Sequence, residues 1–137
     1  MNTYSYDEIT VGMKEVFEVV ITPEMQNAFC KITGDVNPLH QDEAFAKSKG
    51  YEGAVVYGML TSSFYSTLAG VYLPGEKSLV HSIEAKYLKP VYVGDTLTIE
   101  GKVDEKNDTY KLIRVKAVIR NQKGEKVSKA LMQVGLI

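Results

Sequence analysis

Residues 58–72, GMLTSSFYSTLAGVY, contain no proline, no aspartate and no glutamate. Leu60, Phe64, Leu68 and Val71 recur at helical spacing, and Ser62, Ser63, Ser66 and Ala69 occupy other positions with small side chains. A helix about four turns long that lacks a charged face has to be mostly buried, so the rest of the chain has to cover it.

The cover follows at once. Leu73, Pro74 and Gly75 break the helical pattern, and beyond them the period changes. Leu79 to Leu88, Thr96 to Val103, Lys111 to Arg120 and Lys126 to Leu136 are long runs rich in Val, Ile, Leu, Tyr and Thr. Turn signals at PVYVGD, EKND and NQKG separate them, which predicts a four-stranded antiparallel meander joined by hairpins. Upstream, Lys14 to Ile21 puts Phe17, Val19 and Ile21 on one parity, a strand with one apolar face. Thr22 and Pro23 then form a helix start, with Met25, Phe29 and Ile32 at helical spacing until Gly34. EAFAKSK is a short helix ending at Gly50, and Ala54 to Tyr57 is a brief extended run. With no internal repeat, linker or low-complexity tract, residues 1–137 read as a single α+β domain, a sheet packed on one long helix.

Composition removes several classes. The 45% hydrophobic and 24% charged residues match ordinary globular usage and exclude disordered or fibrous chains. Sixteen basic side chains nearly balance seventeen acidic ones without forming a stripe, so nucleic acid is not an expected partner. Cys30 is the single cysteine, which leaves no disulfide within the chain, and it sits among Met25, Phe29 and Ile32 as a small apolar residue. The first residues carry no basic segment followed by an apolar run, and no stretch reaches the roughly 18 apolar residues of a membrane span. No membrane association is expected, and the location expected is the cytoplasm.

One polar stretch, TGDVNPLHQD at 33–42, does nothing for a core. As a calcium loop it fails, because its sixth position is His40 where that loop needs glycine. Zinc asks for three or four ligands from a chain with two histidines and one cysteine. Neither a metal nor a cofactor is expected. Turn chemistry accounts for Gly34, Asp35, Asn37, Pro38 and Asp42 as a helix stop, turn formers, a rigid corner and a cap. His40 is left over, since neither a cap nor a turn calls for imidazole. Asp35 and His40 on either side of the Asn-Pro corner suit general acid–base chemistry, which wants a group titrating near neutrality beside a second proton carrier. Gly58, at the start of the long helix, offers a backbone N–H without an intrahelical partner, suited to a carbonyl oxygen gaining charge. Spacing alone leaves both the structural and the functional reading open.

TGDVNPLHQDEAFAKSKGYEGAVVYGML resembles the signature region of the MaoC-like dehydratases and (R)-specific enoyl-CoA hydratases, and LAGVYLPGEKS and YLKPVYVGDTL match two later turns of that family in the same order. The likeness runs from about Asp7 to the last strand. It implies the hot-dog fold, a curved antiparallel sheet wrapped around one long helix. It also implies that Asp35 and His40 are the catalytic pair, that Asn37 shapes their loop, that the Gly58 N–H binds a thioester carbonyl, and that Ser66 lines the site. Tyr57 stands where the family often has histidine; it fills similar space, donates a hydrogen bond, and is counted with the substrate-binding residues. The activity implied is reversible syn hydration of a trans-2-enoyl-CoA to an (R)-3-hydroxyacyl-CoA, in a homodimer or higher oligomer whose sheets join edge to edge. The exposed edge of a long sheet supports such pairing independently. His81, in LVHSIEA with no acidic neighbour, reads as structural.

Three rivals stand beside this reading. A dehydratase acting on acyl carrier protein would use the same pair. A thioesterase would need a carboxylate on the central helix, and residues 59–72 have none. A non-catalytic acyl-CoA-binding protein would bind without turnover and tolerate loss of His40.

Overall fold

Five strands form one antiparallel sheet in the computed structural model, which describes residues 1–137. They are β1 (Lys14–Val20), β2 (Ser78–Tyr87), β3 (Thr96–Asn107), β4 (Leu112–Arg120) and β5 (Lys126–Leu136), in the spatial order β1-β3-β4-β5-β2. The helices are α1 (Pro23–Thr33), α2 (Pro38–Gln41), α3 (Glu43–Ser48) and α4 (Gly58–Thr67), and α4 runs on through a π-helical turn at Leu68–Tyr72. The apolar helix expected at 58–72 is thus present over that span, with its last turn widened. None of these helices is long and apolar enough to cross a membrane.

Alternation along the strands makes the core. Leu97, Ile99 and Val103 of β3 and Ile113, Val115 and Ile119 of β4 are buried, while their neighbours on the other parity are more exposed; on β5, Met132 and Val134 are buried, and Val127 and Ser128 are both buried where the register shifts. The apolar ones meet Leu60, Tyr65, Leu68 and Ala69 from α4 and its last turn in one continuous cluster. Each fully buried aliphatic side chain stabilises by about 1.5–3 kcal/mol relative to exposure. The Tyr65 hydroxyl donates to Ser128 Oγ at 2.8 Å, and that hydroxyl donates to the Lys86 carbonyl, so the polar atoms facing α4 from β5 are paired. Register shifts at Val80/Ser82, Val103/Glu105 and Ile119/Arg120 bend the sheet around the helix. His81 is the residue skipped at the first of them, and its ring lies over Gly135.

Three expectations need correction. PVYVGD does not close a hairpin: β2 pairs with β5, and β3 with β1 and β4, so residues 88–95 cross from one side of the sheet to the other. Local turn residues report that the chain bends, and strand partners are chosen by packing over α4. Ile32 has the spacing of a core residue but is 82% exposed, because the inward face of α1 is formed by Met25, Gln26, Phe29 and Cys30. The segment after Pro38 holds an additional turn of helix, α2, that periodicity over four residues cannot reveal.

Close approach of the helix to the sheet depends on Gly101. A Cβ built there would fall 2.7 Å from Leu68 Cδ2 and 3.1 Å from Val115 Cγ1, and both neighbours are buried. Gly101→Ala should therefore cost about 1–3 kcal/mol through overpacking, seen as a lower urea midpoint at unchanged slope. An unchanged midpoint would mean that the end of α4 is free to shift.

Candidate active site

The polar loop is built mostly from turns and caps. Gly34 takes the left-handed conformation that ends α1 (φ 72°). Asp35 Oδ1 accepts from the Asn37 amide at 3.1 Å, Asn37 Oδ1 caps α2 by accepting from the Leu39 amide at 2.9 Å, and Asp42 Oδ1 caps α3 through the Phe45 amide at 3.0 Å. His40, on α2, is used differently. Its Nδ1 lies 2.6 Å from the Val55 carbonyl oxygen. A carbonyl can only accept, so the neutral ring carries its proton on Nδ1 and leaves a lone pair on Nε2.

Two buried side chains hold that arrangement. Gln26, on the inward face of α1, donates from Nε2 to the His40 and Val55 carbonyls, each at 3.1 Å, and accepts from the Tyr57 amide at 3.3 Å. Tyr57 stacks its ring on His40, with centroids 4.2 Å apart, and packs against Phe29 on α1 at 4.8 Å. Its hydroxyl donates to the Asp35 carbonyl and accepts from Gln41 Nε2. Burial first, then the Cys30 thiol, pushes this phenol up to about 12, so it remains a neutral donor at neutral pH.

The extended run leads into α4 with its amides used in turn. Val55 N–H donates to the Leu39 carbonyl at 2.9 Å, Val56 N–H to Val91 at 2.8 Å, and Tyr57 N–H to Gln26. The next amides, of Gly58 and Met59, have no acceptor within the chain. Gly58 faces a cleft of about 280 Å³ whose lining also includes His40, Thr61, Tyr87, Val91 and Val127. A free helix-start N–H and an imidazole with a free nitrogen thus share one largely apolar cavity, an arrangement able to polarise a carbonyl and move a proton beside it.

Residues 8–124 match the family model described as MaoC like domain. The chain belongs to the MaoC-like domain family. This MaoC-like chain is 42% identical over 76 residues to the (R)-specific enoyl-CoA hydratase of Aeromonas caviae, covering 56% of this chain and 57% of the relative. It is 29% identical over 100 residues to the 3-hydroxybutyryl-CoA dehydratase of Methylorubrum extorquens, covering 73% of this chain and 64% of that enzyme. Both matches therefore span less than two thirds of those curated relatives. Among solved structures, the (R)-hydratase of A. caviae involved in PHA biosynthesis superposes with a TM-score of 0.89 at 31% identity, over 94% of this chain and 98% of that one. The fold of the MaoC-like chain is accordingly the hot-dog fold, α+β with a central helix.

Of the residues singled out from the sequence, His40 and Gly58 line the cleft; Asp35, Asn37, Tyr57 and Ser66 do not. Asp35 is exposed and makes no ion pair with His40. The Tyr57 hydroxyl is engaged within the protein and secures the loop. Ser66 is exposed, because it stands about 140° around α4 from Thr61, which lines the cleft. Sequence reasoning missed Gln26 and Thr61; each is a polar residue on an otherwise apolar helical face, and that interruption was the available signal. Gln26→Met keeps the volume but strips partners from buried backbone groups of His40, Val55 and Tyr57. It should cost about 1–3 kcal/mol in urea unfolding and speed hydrogen exchange at the Tyr57 amide. Wild-type exchange there would remove Gln26 from this network.

Proposed function

We propose that this chain is a hydro-lyase that catalyses reversible syn addition of water to a trans-2-enoyl-CoA, giving an (R)-3-hydroxyacyl-CoA. The observation that carries the reading is the shared cleft: His40, with Nδ1 committed to Val55, and the unpartnered Gly58 amide line the same cavity. The thioester carbonyl oxygen accepts from the Gly58 N–H. As the water oxygen bonds to C3, the double-bond electrons move toward that carbonyl and the N–H stabilises the resulting enolate. His40 and Asp35 handle the protons: the pair takes one from the water and returns one to C2 on the same face. Asn37 and Tyr57 act as positioning residues for the loop that carries the pair. The CoA form of the thioester is supported by the names of the two curated relatives described above.

The reading includes a homodimer. β2 is a ten-residue edge strand that leaves Leu79, Val80, Ile83 and Tyr87 exposed, the kind of edge that unpaired sheets rarely tolerate. The exposure of Asp35 and Ser66 in the isolated chain fits a site completed at such an interface.

Hydration of crotonyl-CoA, followed by loss of the enoyl-thioester absorbance, tests the proposal. Asp35→Asn and His40→Ala should each lower turnover by at least about 10²-fold while the folded chain keeps its helix and sheet signature. Wild-type turnover in either variant would remove that residue from the pair.

A further inference from the structure

Thr61 Oγ1 is the single buried side-chain nitrogen or oxygen in the chain without a hydrogen-bond partner. The residue is 2% exposed and lines the cleft that holds His40 and Gly58. A helical threonine usually satisfies its hydroxyl on a carbonyl three or four residues back. Here the carbonyl four back, of Tyr57, already accepts from the amides of Leu60 and Thr61, each at 3.1 Å. Burying an unpaired hydroxyl is unfavourable, and valine would fill the same space without that cost. Packing therefore gives no reason for threonine at this position.

The place of the side chain supplies one. Thr61 lies three residues after Gly58, on the same face of α4, and both residues line the cleft, so the unpaired hydroxyl and the free Gly58 amide border one cavity. We propose that the Thr61 hydroxyl is a second hydrogen-bond donor to the substrate's carbonyl oxygen, beside the Gly58 N–H. The inference rests on the thioester reading above and extends it. A carbonyl oxygen has two lone pairs, and as it gains negative charge it draws on both donors; the threonine keeps its proton throughout, so no atom is transferred. A group whose bond strengthens with that charge acts on turnover more than on ground-state binding.

Thr61→Val and Thr61→Ser test this with two readouts. In crotonyl-CoA hydration, Thr61→Val should lower kcat by about 10²-fold with KM changed little, and Thr61→Ser should recover most of the loss. Thr61→Val should also unfold at a urea concentration no lower than wild type, because the hydroxyl has no partner inside the fold. The second readout is the infrared band of carbonyl-labelled butyryl-CoA, which has no double bond to hydrate. Wild-type protein should shift it to lower frequency, and Thr61→Val should shift it less. Unchanged kcat and an unchanged band in Thr61→Val, with His40→Ala still inactive, would overturn the Thr61 assignment and leave the hydratase reading intact. A lowered unfolding midpoint in Thr61→Val would also overturn it, by showing that the hydroxyl serves the fold. No turnover and no band shift with wild-type protein would instead remove the thioester reading, and this inference with it.

Discussion

The backbone of Val55 is the point on which the site depends. Its carbonyl accepts from His40 Nδ1 and from Gln26 Nε2, and its N–H donates to the Leu39 carbonyl, so one peptide strand ties α1, α2 and the approach to α4 together. Backbone groups in a buried segment must find partners, and here the partners are the residues that define the cleft. The same bond that holds the imidazole also selects its tautomer. A histidine attached only by packing would keep neither its orientation nor a defined free nitrogen.

The fold brings that strand to α4 through its topology. Because β2 pairs with β5 and not with β3, the chain between them crosses over the sheet, and Leu88–Val91 of this crossing lines the cleft together with His40. The Val56 amide is bonded to the Val91 carbonyl, so the crossing also fixes the height at which α4 begins. Gly101 lets Leu68 sit against β3, which seats the far end of the same helix. Both ends of α4 are thus held, and Gly58, which carries its first free amide, lines the cavity.

How much of this is legible in the sequence depends on the range of the interaction. Period and capping are local, so β1, α1, the apolar 58–72 helix and the four later strands could be read, with Thr22, Gly34 and Asp42 in the roles their positions suggest. Strand order is not local, so the turn-like PVYVGD suggests a hairpin that the sheet does not contain. His40 stood out because nothing structural called for it. Its partner is a carbonyl fifteen residues away, and carbonyls carry no side-chain signature. Tyr57 illustrates the limit from the other side: its departure from the family pattern was visible, but only the fold reveals that its hydroxyl bridges Asp35 and Gln41. Gln26 and Thr61 each interrupt an apolar helical face, and a single polar residue there carries no periodic signal for the buried partner or cavity it meets.

His40 lines the cleft with Nδ1 bonded to the Val55 carbonyl, which puts the proton of the neutral ring on Nδ1 and leaves Nε2 without a partner. Nitrogen NMR of the ring tests it most directly, using a His81→Gln background so that His40 is the one remaining histidine. In the neutral form, Nδ1 should be protonated and Nε2 unprotonated. A protonated Nε2, with Nδ1 bare, would be incompatible with a bond to the Val55 carbonyl and with a free Nε2 as the proton carrier.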